Sequence, residues 1–403
     1  MKFRILSHHF FNKLILIFFC FIFELQSQPE KTKIHLNLIE ALKTPNEVRI
    51  LDLSSNRLTT LPKEIGQLVN LERLYLLNNE LTTLPEEIGK LENLKTLDIT
   101  RNRISTFPKE FWKLKNLEVL FLNGNRLSYL PEEIRELNRL NVLNLNDNQL
   151  TTLPKEIGQL ENLLTLYLSG NNLNSLPNEM GQLKNLISLY LSGNKLISLP
   201  KEIRQLGNLG ILHLFDNEFN TLPEEIGELE NLKILDISRN RFSTFPKEFW
   251  KLKKLNVLNL SNNQLTTLPK EIGQLENLFI LHLSVNKLNS LPNEMGQLKN
   301  LDVLYLNGNN LSNLPEEIGE LKKLSILKLD SNQLTILPKE IGQLENLVTL
   351  SLSNNKLISI PNELGQLKNL SLLNLRYNPN LKTTEENIKK LFPNQKIRIE
   401  ISP

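Results

Sequence analysis

The feature that most constrains this chain is a repeat of 23 residues. The stretch LTTLPKEIGQLENL at Leu150–Leu163 recurs letter for letter at Leu265–Leu278, five periods later. An Asn in the frame LxxLxLxxNxL marks fifteen consecutive periods, from Asn56 to Asn378, without insertion or deletion. A stretch that recurs so many times has a structural role, so one repeating unit determines the fold.

The frame around Asn171 shows how one period is built. Leu166 and Leu168 alternate with Tyr167, which predicts a short strand with leucines on one side and the tyrosine on the other. The other apolar residues follow neither a helical nor a strand period. One repeat is therefore predicted to form one turn of a coil with its apolar residues inside. A lone coil cannot bury enough apolar surface to offset its ordering, so the coils must stack.

Three further columns of the repeat are predicted to be framework. The repeated Asn is expected to be buried and to hydrogen-bond backbone groups of its own coil and the next one. A proline and a glutamate two residues later, such as Pro154 and Glu156, recur at fixed positions of the repeat. They predict the start of a short helical turn, with the proline at the first helical position. Gly158, ten residues past its Asn, is expected to permit a tight bend.

The frame LxxLxLxxNxLxxLPxEIxxLxN resembles the leucine-rich repeat family, in its typical 23-residue, Ras-suppressor-like class. The resemblance covers about Val48 to Asn380. It implies an α/β fold, a horseshoe solenoid with a parallel β-sheet on the concave face. It also implies short helical or 3₁₀ turns on the convex face, and helical caps at both ends.

The N-terminal segment differs from the repeats. A positively charged start is followed by ten apolar residues, Leu14–Phe23, and then by polar residues. This pattern predicts a secretory signal peptide at residues 1–27, cleaved after Ser27. Ten residues are too few to span a bilayer, which takes about 20. Leu25 stands where signal peptidase prefers a small residue, so an uncleaved N-terminal anchor is the alternative.

The single cysteine, Cys20, lies inside the apolar run. A lipoprotein would carry its acyl chains on such a cysteine, although Phe19 stands where a small residue is usual. If cleavage follows Ser27, the mature chain has no cysteine and therefore no disulfide.

The two ends of the array depart from the repeat, as the ends of a solenoid do. Ile34–Leu42 is predicted to form a short amphipathic helix. After the last repeat we expect a helix capped by Thr383 or Thr384, and then a strand near Lys396–Ile401. The predicted division is a signal peptide at 1–27, an N-terminal helical cap at 28–47, fifteen repeats at 48–380 and a C-terminal cap at 381–403.

A block of the array is duplicated. Glu80–Val119 returns at Glu218–Val257, six repeats later, with 32 of 40 positions identical. Both tryptophans, Trp112 and Trp250, come from this block and replace the convex glycine. They form either a convex aromatic patch or part of the local packing.

The outward position in the middle of each strand has no framework role, and its residue varies from repeat to repeat. Four of the six tyrosines stand in this column. Aromatic residues displayed on a polar sheet predict protein recognition, because they supply contact area at low entropic cost. The candidate site residues form two groups. The first, about 19 Å across at strand spacing, consists of Phe121, Tyr167, Tyr190, His213 and Phe215. The second consists of His282 and Tyr305, beside Phe279.

An alternative is that these aromatic residues only stabilise the sheet through cross-strand pairs. A shared metal ion is excluded for His213 and His282, because three strand spacings separate them by about 14 Å. The Asp98–Arg101–Arg103 stretch and its duplicate at Asp236–Arg239–Arg241 are interpreted as surface ion pairs.

The composition and motifs argue against several classes of function. The chain carries a formal charge of only +3, without a basic stripe for nucleic acid or a polybasic patch for membranes. It contains no HExxH, GxxxxGK[ST], GxGxxG or GxSxG motif. The leucine-rich-repeat ubiquitin ligases need a catalytic cysteine in a further domain, and none follows the repeats here. We therefore expect no enzymatic activity and no cofactor.

The function predicted from the sequence is binding. With its signal peptide, the chain looks most like secreted spirochaetal leucine-rich-repeat proteins. That resemblance implies a monomeric surface or released protein whose concave face holds a protein ligand, such as a host surface or matrix protein. A periplasmic or cell-envelope scaffold with an endogenous partner is the first alternative. An intracellular signalling scaffold is the second, if the signal peptide is not used.

Overall fold

Each 23-residue period forms one coil, in which a three-residue strand is followed by a turn, an extended segment and a five-residue 3₁₀ turn. The computed structural model describes residues 33–393 and 395–401. The predicted signal peptide at 1–27, including Cys20, lies outside the described residues.

The strands lie side by side in chain order and all pair in parallel. Pairing follows the repeat, so that Leu166 faces Leu189 and Tyr167 faces Tyr190. The sheet is open and is not closed into a barrel. Its strands are β1 Ile34–His35, β2 Ile50–Asp52, β3 Arg73–Tyr75, β4 Thr96–Asp98, β5 Val119–Phe121, β6 Val142–Asn144, β7 Thr165–Tyr167, β8 Ser188–Tyr190, β9 Ile211–His213, β10 Ile234–Asp236, β11 Val257–Asn259, β12 Ile280–His282, β13 Val303–Tyr305, β14 Ile326–Lys328, β15 Thr349–Ser351, β16 Leu372–Asn374 and β17 Arg398–Glu400.

The convex side consists of short 3₁₀ turns, which together with the sheet confirm the predicted fold class. A first turn at Pro45–Glu47 precedes the repeats. The repeats contribute Lys63–Gln67, Glu86–Lys90, Lys109–Lys113, Glu132–Glu136, Lys155–Gln159, Asn178–Gln182, Lys201–Gln205, Glu224–Glu228, Lys247–Lys251, Lys270–Gln274, Asn293–Gln297, Glu316–Glu320, Lys339–Gln343 and Asn362–Gln366. The sequence predicted the prolines at the first residue of each turn. The structure instead places them, as at Pro154, one residue before the turn begins.

The core is a continuous column of aliphatic side chains between the sheet and the convex turns. In the coil of Asn171, the side chains of Leu166, Leu168, Leu173 and Met180 are fully buried. They belong to one hydrophobic cluster that continues through the coils on both sides, which is why the repeat can exist only as a stack.

The repeated Asn column ties neighbouring coils together. Asn217 accepts a hydrogen bond from the Leu196 N–H at 3.0 Å. Its amide donates to the carbonyl oxygens of Leu191 at 2.9 Å and Leu214 at 3.1 Å. The neighbouring coil that each Asn bonds is therefore the preceding one, and not the next one as predicted. Asn56, the first of the column, is exposed.

The residue just before each column Asn adopts a left-handed backbone conformation. The positive φ angles range from 51° at Arg239 to 71° at Gly308, and Val285 has φ 55°. This conformation turns the chain from the strand into the Asn position at the same point of every coil. It favours Gly, Asn and Asp, which occupy most of these positions, whereas a β-branched residue such as Val is strained there.

The convex glycines allow neighbouring turns to pack closely. None of these glycines has a positive φ. The prediction that glycine recurs at this position to permit a tight bend is therefore wrong. A Cβ added at Gly158 would instead collide with the backbone carbonyl oxygen of Glu179 in the next coil. Where Trp112 and Trp250 replace the glycine, the following turn lies farther away.

Both tryptophans are part of the core and form no convex patch. Trp112 is 6% exposed and Trp250 is 2% exposed. Trp250 meets Phe249 edge to face, with ring centroids 4.9 Å apart, and Phe249 stacks on Phe245 at 4.6 Å. Local packing is therefore the role of these aromatic residues.

The N-terminal cap is less helical than predicted. Ile34–His35 pairs with β2 as an edge strand, and the helix covers only Leu38–Ala41. The reason is Asn37, whose side chain accepts hydrogen bonds from the Ile39 and Glu40 N–H groups and so starts the helix there. The C-terminal helix is Glu385–Lys389, capped by the side chain of Thr384.

Candidate functional site

The outward side chains at the last residue of each strand form one continuous row across the sheet. Parallel pairing in register places Tyr190 beside His213, His213 beside Asp236, and Asn259 beside His282. The row from β7 to β14 reads Tyr167, Tyr190, His213, Asp236, Asn259, His282, Tyr305 and Lys328. Five of the seven candidate residues therefore belong to a single surface.

The first group of rings is in direct contact. Tyr167 and Tyr190 stack with centroids 4.6 Å apart and an interplanar angle of 10°. Tyr190 meets His213 edge to face at 5.0 Å. Burial raises the pKa of both tyrosine hydroxyls and lowers the pKa of the His213 imidazole, with Asp236 acting against this shift at His213.

Two predicted residues lie at the margin of this group. Phe121 is separated from Tyr167 by Asn144 on β6, so it does not join the stack. Phe215 lies two residues beyond His213 on the same face and is 37% exposed. Phe215 thus leaves an apolar side chain accessible next to the stacked rings.

The second group lies three strands farther along. His282 and Tyr305 contact each other with ring centroids 4.6 Å apart, and the Lys328 ammonium group lies 4.9 Å from the centre of the Tyr305 ring. Burial lowers the pKa of His282, and nearby Asp236 opposes that shift. Phe279, the remaining aromatic residue of this predicted group, precedes β12.

Between the two groups, Asp236 and Asn259 form a polar gap. The Asp236 Oδ1 atom accepts hydrogen bonds from the Ser238 N–H at 2.9 Å and the Ser238 hydroxyl at 2.6 Å. Its Oδ2 atom accepts one from the Asn259 amide at 3.1 Å. The neighbours on either side of the gap, His213 and His282, carry larger side chains.

The predicted ion pairs within the duplicated block are wrong. Arg103 pairs with Glu80 at 3.1 Å and Arg241 with Glu218 at 3.0 Å, each in the preceding coil. Asp98 instead accepts the Thr100 N–H, as Asp236 accepts that of Ser238. The two aspartates are thus free of the arginines that follow them in sequence.

Sequence reasoning missed a second row of the face, at the first residue of each strand. From β9 to β14 it consists entirely of half-buried or buried aliphatic side chains, namely Ile211, Ile234, Val257, Ile280, Val303 and Ile326. The signal was available, because β-branched residues recur there at the 23-residue period.

The outward face of β7–β13, together with the second residue after each strand, is called the central concave surface here. It holds no lysine or arginine, and Asp236 is its one carboxylate. Ser188 and Ser192, on the strand of Tyr190, are buried at this face, so large neighbouring side chains cover the sheet. An aliphatic row, a ring row and very little charge make this surface unlike the rest of the molecule.

Two clefts within the described residues lie away from the central concave surface. Both are small, of about 180 and 260 Å³, and open between convex turns at the same place in the two copies of the duplicated block. Each is lined mainly by glutamates and lysines, as by Glu87, Glu110 and Lys113 in the first copy. Small-molecule sites are larger and mostly apolar. No group of side chains within residues 33–393 and 395–401 is arranged to hold a metal ion.

The fold and the repeat together define the class of protein. The chain belongs to the leucine-rich repeat family, and the family model, described as a leucine-rich repeat region, matches residues 37–148, 131–217, 201–285 and 303–399. Comparison with curated protein sequences finds no significant match.

Among solved structures, a leucine-rich repeat protein of Leptospira interrogans is 44% identical, with a TM-score of 0.83. The match covers 91% of this chain and 99% of that one, which confirms the spirochaetal resemblance. The plant peptide hormone receptor RGFR1, solved in complex with RGF2, is 33% identical, with a TM-score of 0.68. That match covers 86% of this chain and 62% of the receptor.

An internalin (inlF) of Listeria monocytogenes shares the fold, with a TM-score of 0.67 at 23% identity over 77% of this chain and 87% of the internalin. No helix within the described residues has the length and apolar character needed to cross a membrane.

Proposed function

We propose that this chain is an exported, non-enzymatic protein-binding protein that holds its ligand on the central concave surface. We further propose that it is surface-exposed or released and binds host proteins. The observation that carries the binding proposal is the composition of that surface, where aromatic and aliphatic rows run side by side and Asp236 is the one carboxylate.

The physical argument concerns charge. The core of a protein interface is depleted in charged residues and enriched in aromatic ones, because a charge loses its hydration when the partner covers it. Overall, 23% of the residues of this chain are charged. A surface of seven strands with a single carboxylate and no lysine or arginine can be covered at low desolvation cost.

The ring contacts bear on the alternative that the aromatic residues only stabilise the sheet. Tyr167, Tyr190 and His213 do stabilise one another, but Phe215 is 37% exposed and has no such framework role. Rings that are fixed by their neighbours lose little conformational freedom on binding, so the same contacts also prepare the surface for a ligand. The two roles therefore reinforce each other.

The export proposal rests on the predicted signal peptide at residues 1–27. The relatives support the kind of ligand. The plant receptor RGFR1, which is 33% identical, is a peptide hormone receptor and was solved in complex with RGF2. For this chain we propose a protein ligand by analogy with that arrangement.

Location is tested by treating intact producing cells with protease and detecting peptides of this chain, with a periplasmic protein as control. We expect peptides of this chain to be released while the control stays intact. Protection of both proteins would contradict surface exposure and favour a periplasmic or cell-envelope scaffold. An intact precursor mass in the cytoplasm would favour the intracellular alternative.

Binding is tested by capturing host surface and matrix proteins on the purified protein and on a variant with Tyr167, Tyr190 and Phe215 changed to Ala. The control is Tyr129→Ala, because Tyr129 is 54% exposed but lies away from the central concave surface. We expect the triple variant to lose the captured protein and the control to keep it. Equal capture by both folded variants would refute the concave site.

A further inference from the structure

The carboxylate of Asp236, on the central concave surface, forms no ion pair within the described residues. The nearest arginine in sequence with an ion pair, Arg241, is bound to Glu218. Within the described residues, the hydrogen bonds of Asp236 come only from Ser238 and Asn259, both uncharged. A single carboxylate on an otherwise neutral surface is costly to cover unless the partner supplies a positive charge.

The hydrogen bonds of this carboxylate leave room for one more donor. An ionised carboxylate offers about four acceptor positions on its two oxygens. Oδ1 uses two of them for the N–H and hydroxyl of Ser238, and Oδ2 uses one for the amide of Asn259. One position on Oδ2 therefore remains, which suits a single N–H from an ammonium or guanidinium group.

The neighbours of the gap suit a basic side chain as well. His213 and His282 stand on either side, and each neutral imidazole has one nitrogen that can accept a hydrogen bond. The same row already holds a cation on a ring, because the Lys328 ammonium group lies 4.9 Å from the centre of the Tyr305 ring. Ile234 and Val257 line the gap on the side of the aliphatic row and would contact the methylene stem of a lysine or arginine.

The aliphatic row sets the form of the ligand around this position. From Ile211 to Ile326 it crosses six strands, or about 24 Å at strand spacing. An extended polypeptide covers this distance with about seven residues.

We infer that the ligand is a polypeptide segment that lies across β9–β14, with apolar side chains on the aliphatic row and one lysine or arginine in the gap at Asp236. This inference rests on the proposed function and specifies the chemistry of the partner at that site. Charge complementarity at Asp236 is what selects a basic segment over an acidic or neutral one.

The test uses random peptides of about twelve residues, long enough to cross the aliphatic row, displayed on phage. They are selected on the full protein, on Asp236→Asn and on Asp98→Asn. The Asn variant removes the charge and keeps an acceptor for Ser238. Asp98→Asn is the matched control, because Asp98 holds the same frame position in the other copy of the duplicated block and accepts the Thr100 N–H in the same way.

We expect peptides selected on the unchanged protein and on Asp98→Asn to be enriched in a lysine or arginine among apolar residues. These peptides should bind Asp236→Asn roughly 10-fold or more weakly, the loss of one charge-assisted hydrogen bond. Peptides that show no basic preference, or bind Asp236→Asn as tightly, overturn the inference.

A second triple variant, with Phe215, His282 and Tyr305 changed to Ala, alters the rings on the strands that the peptide would cross and separates this failure from that of the proposed function. If the selected peptides lack a basic preference but lose binding to this second triple variant, the concave site stands and only the inference about Asp236 fails. If no peptide is selected, or if binding is unchanged in both variants, the inference and the concave site fail together.

Discussion

Tyr167 and Tyr190 stack with their ring centroids 4.6 Å apart and their planes within 10° of parallel, one strand spacing apart on the face of the sheet. This spacing is imposed by the backbone, since the two residues are paired in register on β7 and β8. The repeat therefore brings neighbouring rings of this row into contact, here as a stack and at Tyr190–His213 and His282–Tyr305 at steeper angles.

The stack should contribute measurable coupling energy to folding. In a double-mutant cycle with Tyr167→Ala and Tyr190→Ala, we expect the two losses of unfolding free energy to be non-additive by about 1 kcal/mol, which is typical of aromatic pairs. Tyr75 is the control at the same frame position, because its strand neighbours are Asp52 and Asp98. A cycle of Tyr75 with Tyr190 should give additive losses in urea unfolding.

The Asn column should be among the most sensitive positions of the framework. Asn217→Ala leaves the Leu196 N–H and two carbonyl oxygens without their buried partner. We expect a loss of roughly 2–4 kcal/mol of unfolding free energy. Asn56→Ala, at the exposed first position of the same column, should change it by less than about 0.5 kcal/mol. Similar losses at the two positions would show that the bonds to the preceding coil are unimportant.

Val285 should be a site where a simple substitution stabilises the protein. Its φ is 55°, and its side chain is 49% exposed, so little packing is lost on removal. Val285→Gly relieves a left-handed strain of about 1–2 kcal/mol, partly offset by the entropy of glycine. We expect a net gain of about 0.5–1 kcal/mol. The reciprocal change Gly308→Ala, at φ 71°, should lower stability by about 1 kcal/mol in the same thermal unfolding assay.

The convex glycines should differ sharply from a glycine that has no close neighbour. An alanine at Gly158 would push its Cβ into the Glu179 carbonyl oxygen, so we expect a loss of about 1–3 kcal/mol. At Gly207 nothing lies within 4 Å of an added Cβ, and Gly207→Ala should be neutral or slightly stabilising. If both variants melted at the temperature of the parent protein, close packing of the turns would not explain this column.

The two concave histidines should make stability depend on pH. Burial lowers the pKa of His213 and His282 from the ordinary value of 6.5, so the unfolded chain binds protons at a higher pH than the folded one. Their contribution is therefore present above about pH 6.5 and is lost as the pH falls below it. Urea unfolding between pH 7.5 and 5 should show a shallower decline in a His213→Gln, His282→Gln variant than in the parent. Parallel curves would contradict the assignment.

The framework was predictable because it obeys one period. Asn217 repeats what the column residues from Asn79 to Asn378 do, and its buried hydrogen bonds follow from the need to pair a polar side chain between leucines. The closely packed Gly158 was assigned the wrong reason, because the collision with Glu179 involves the next coil and cannot be seen within one repeat. The left-handed conformation of the residue before each column Asn was not predicted. The frequent occurrence of Gly, Asn and Asp at that position could have indicated it.

The candidate site was predictable only as a set of positions. The sequence placed Tyr167, Tyr190 and His213 on the same face, but the stacking geometry depends on rotamers that the repeat does not specify. Asp236 was assigned to an ion pair with Arg239 and Arg241, but Arg241 pairs with Glu218 of the preceding coil, a contact that sequence spacing within one repeat does not reveal.

The hydrogen bonds of the Asn column have a consequence for how this molecule can change in size. Asn217 forms hydrogen bonds with Leu196 and Leu191 of the coil immediately before it, and the equivalent residues from Asn79 to Asn378 do the same with their own preceding coils. Gaining or losing a whole number of periods, as in the duplicated block, joins coils that already match, whereas an indel of any other length breaks the frame. Recombination between the repeated stretches can thus lengthen the array by one strand spacing at a time and shift the distance between Tyr167 and Tyr305 without a new fold.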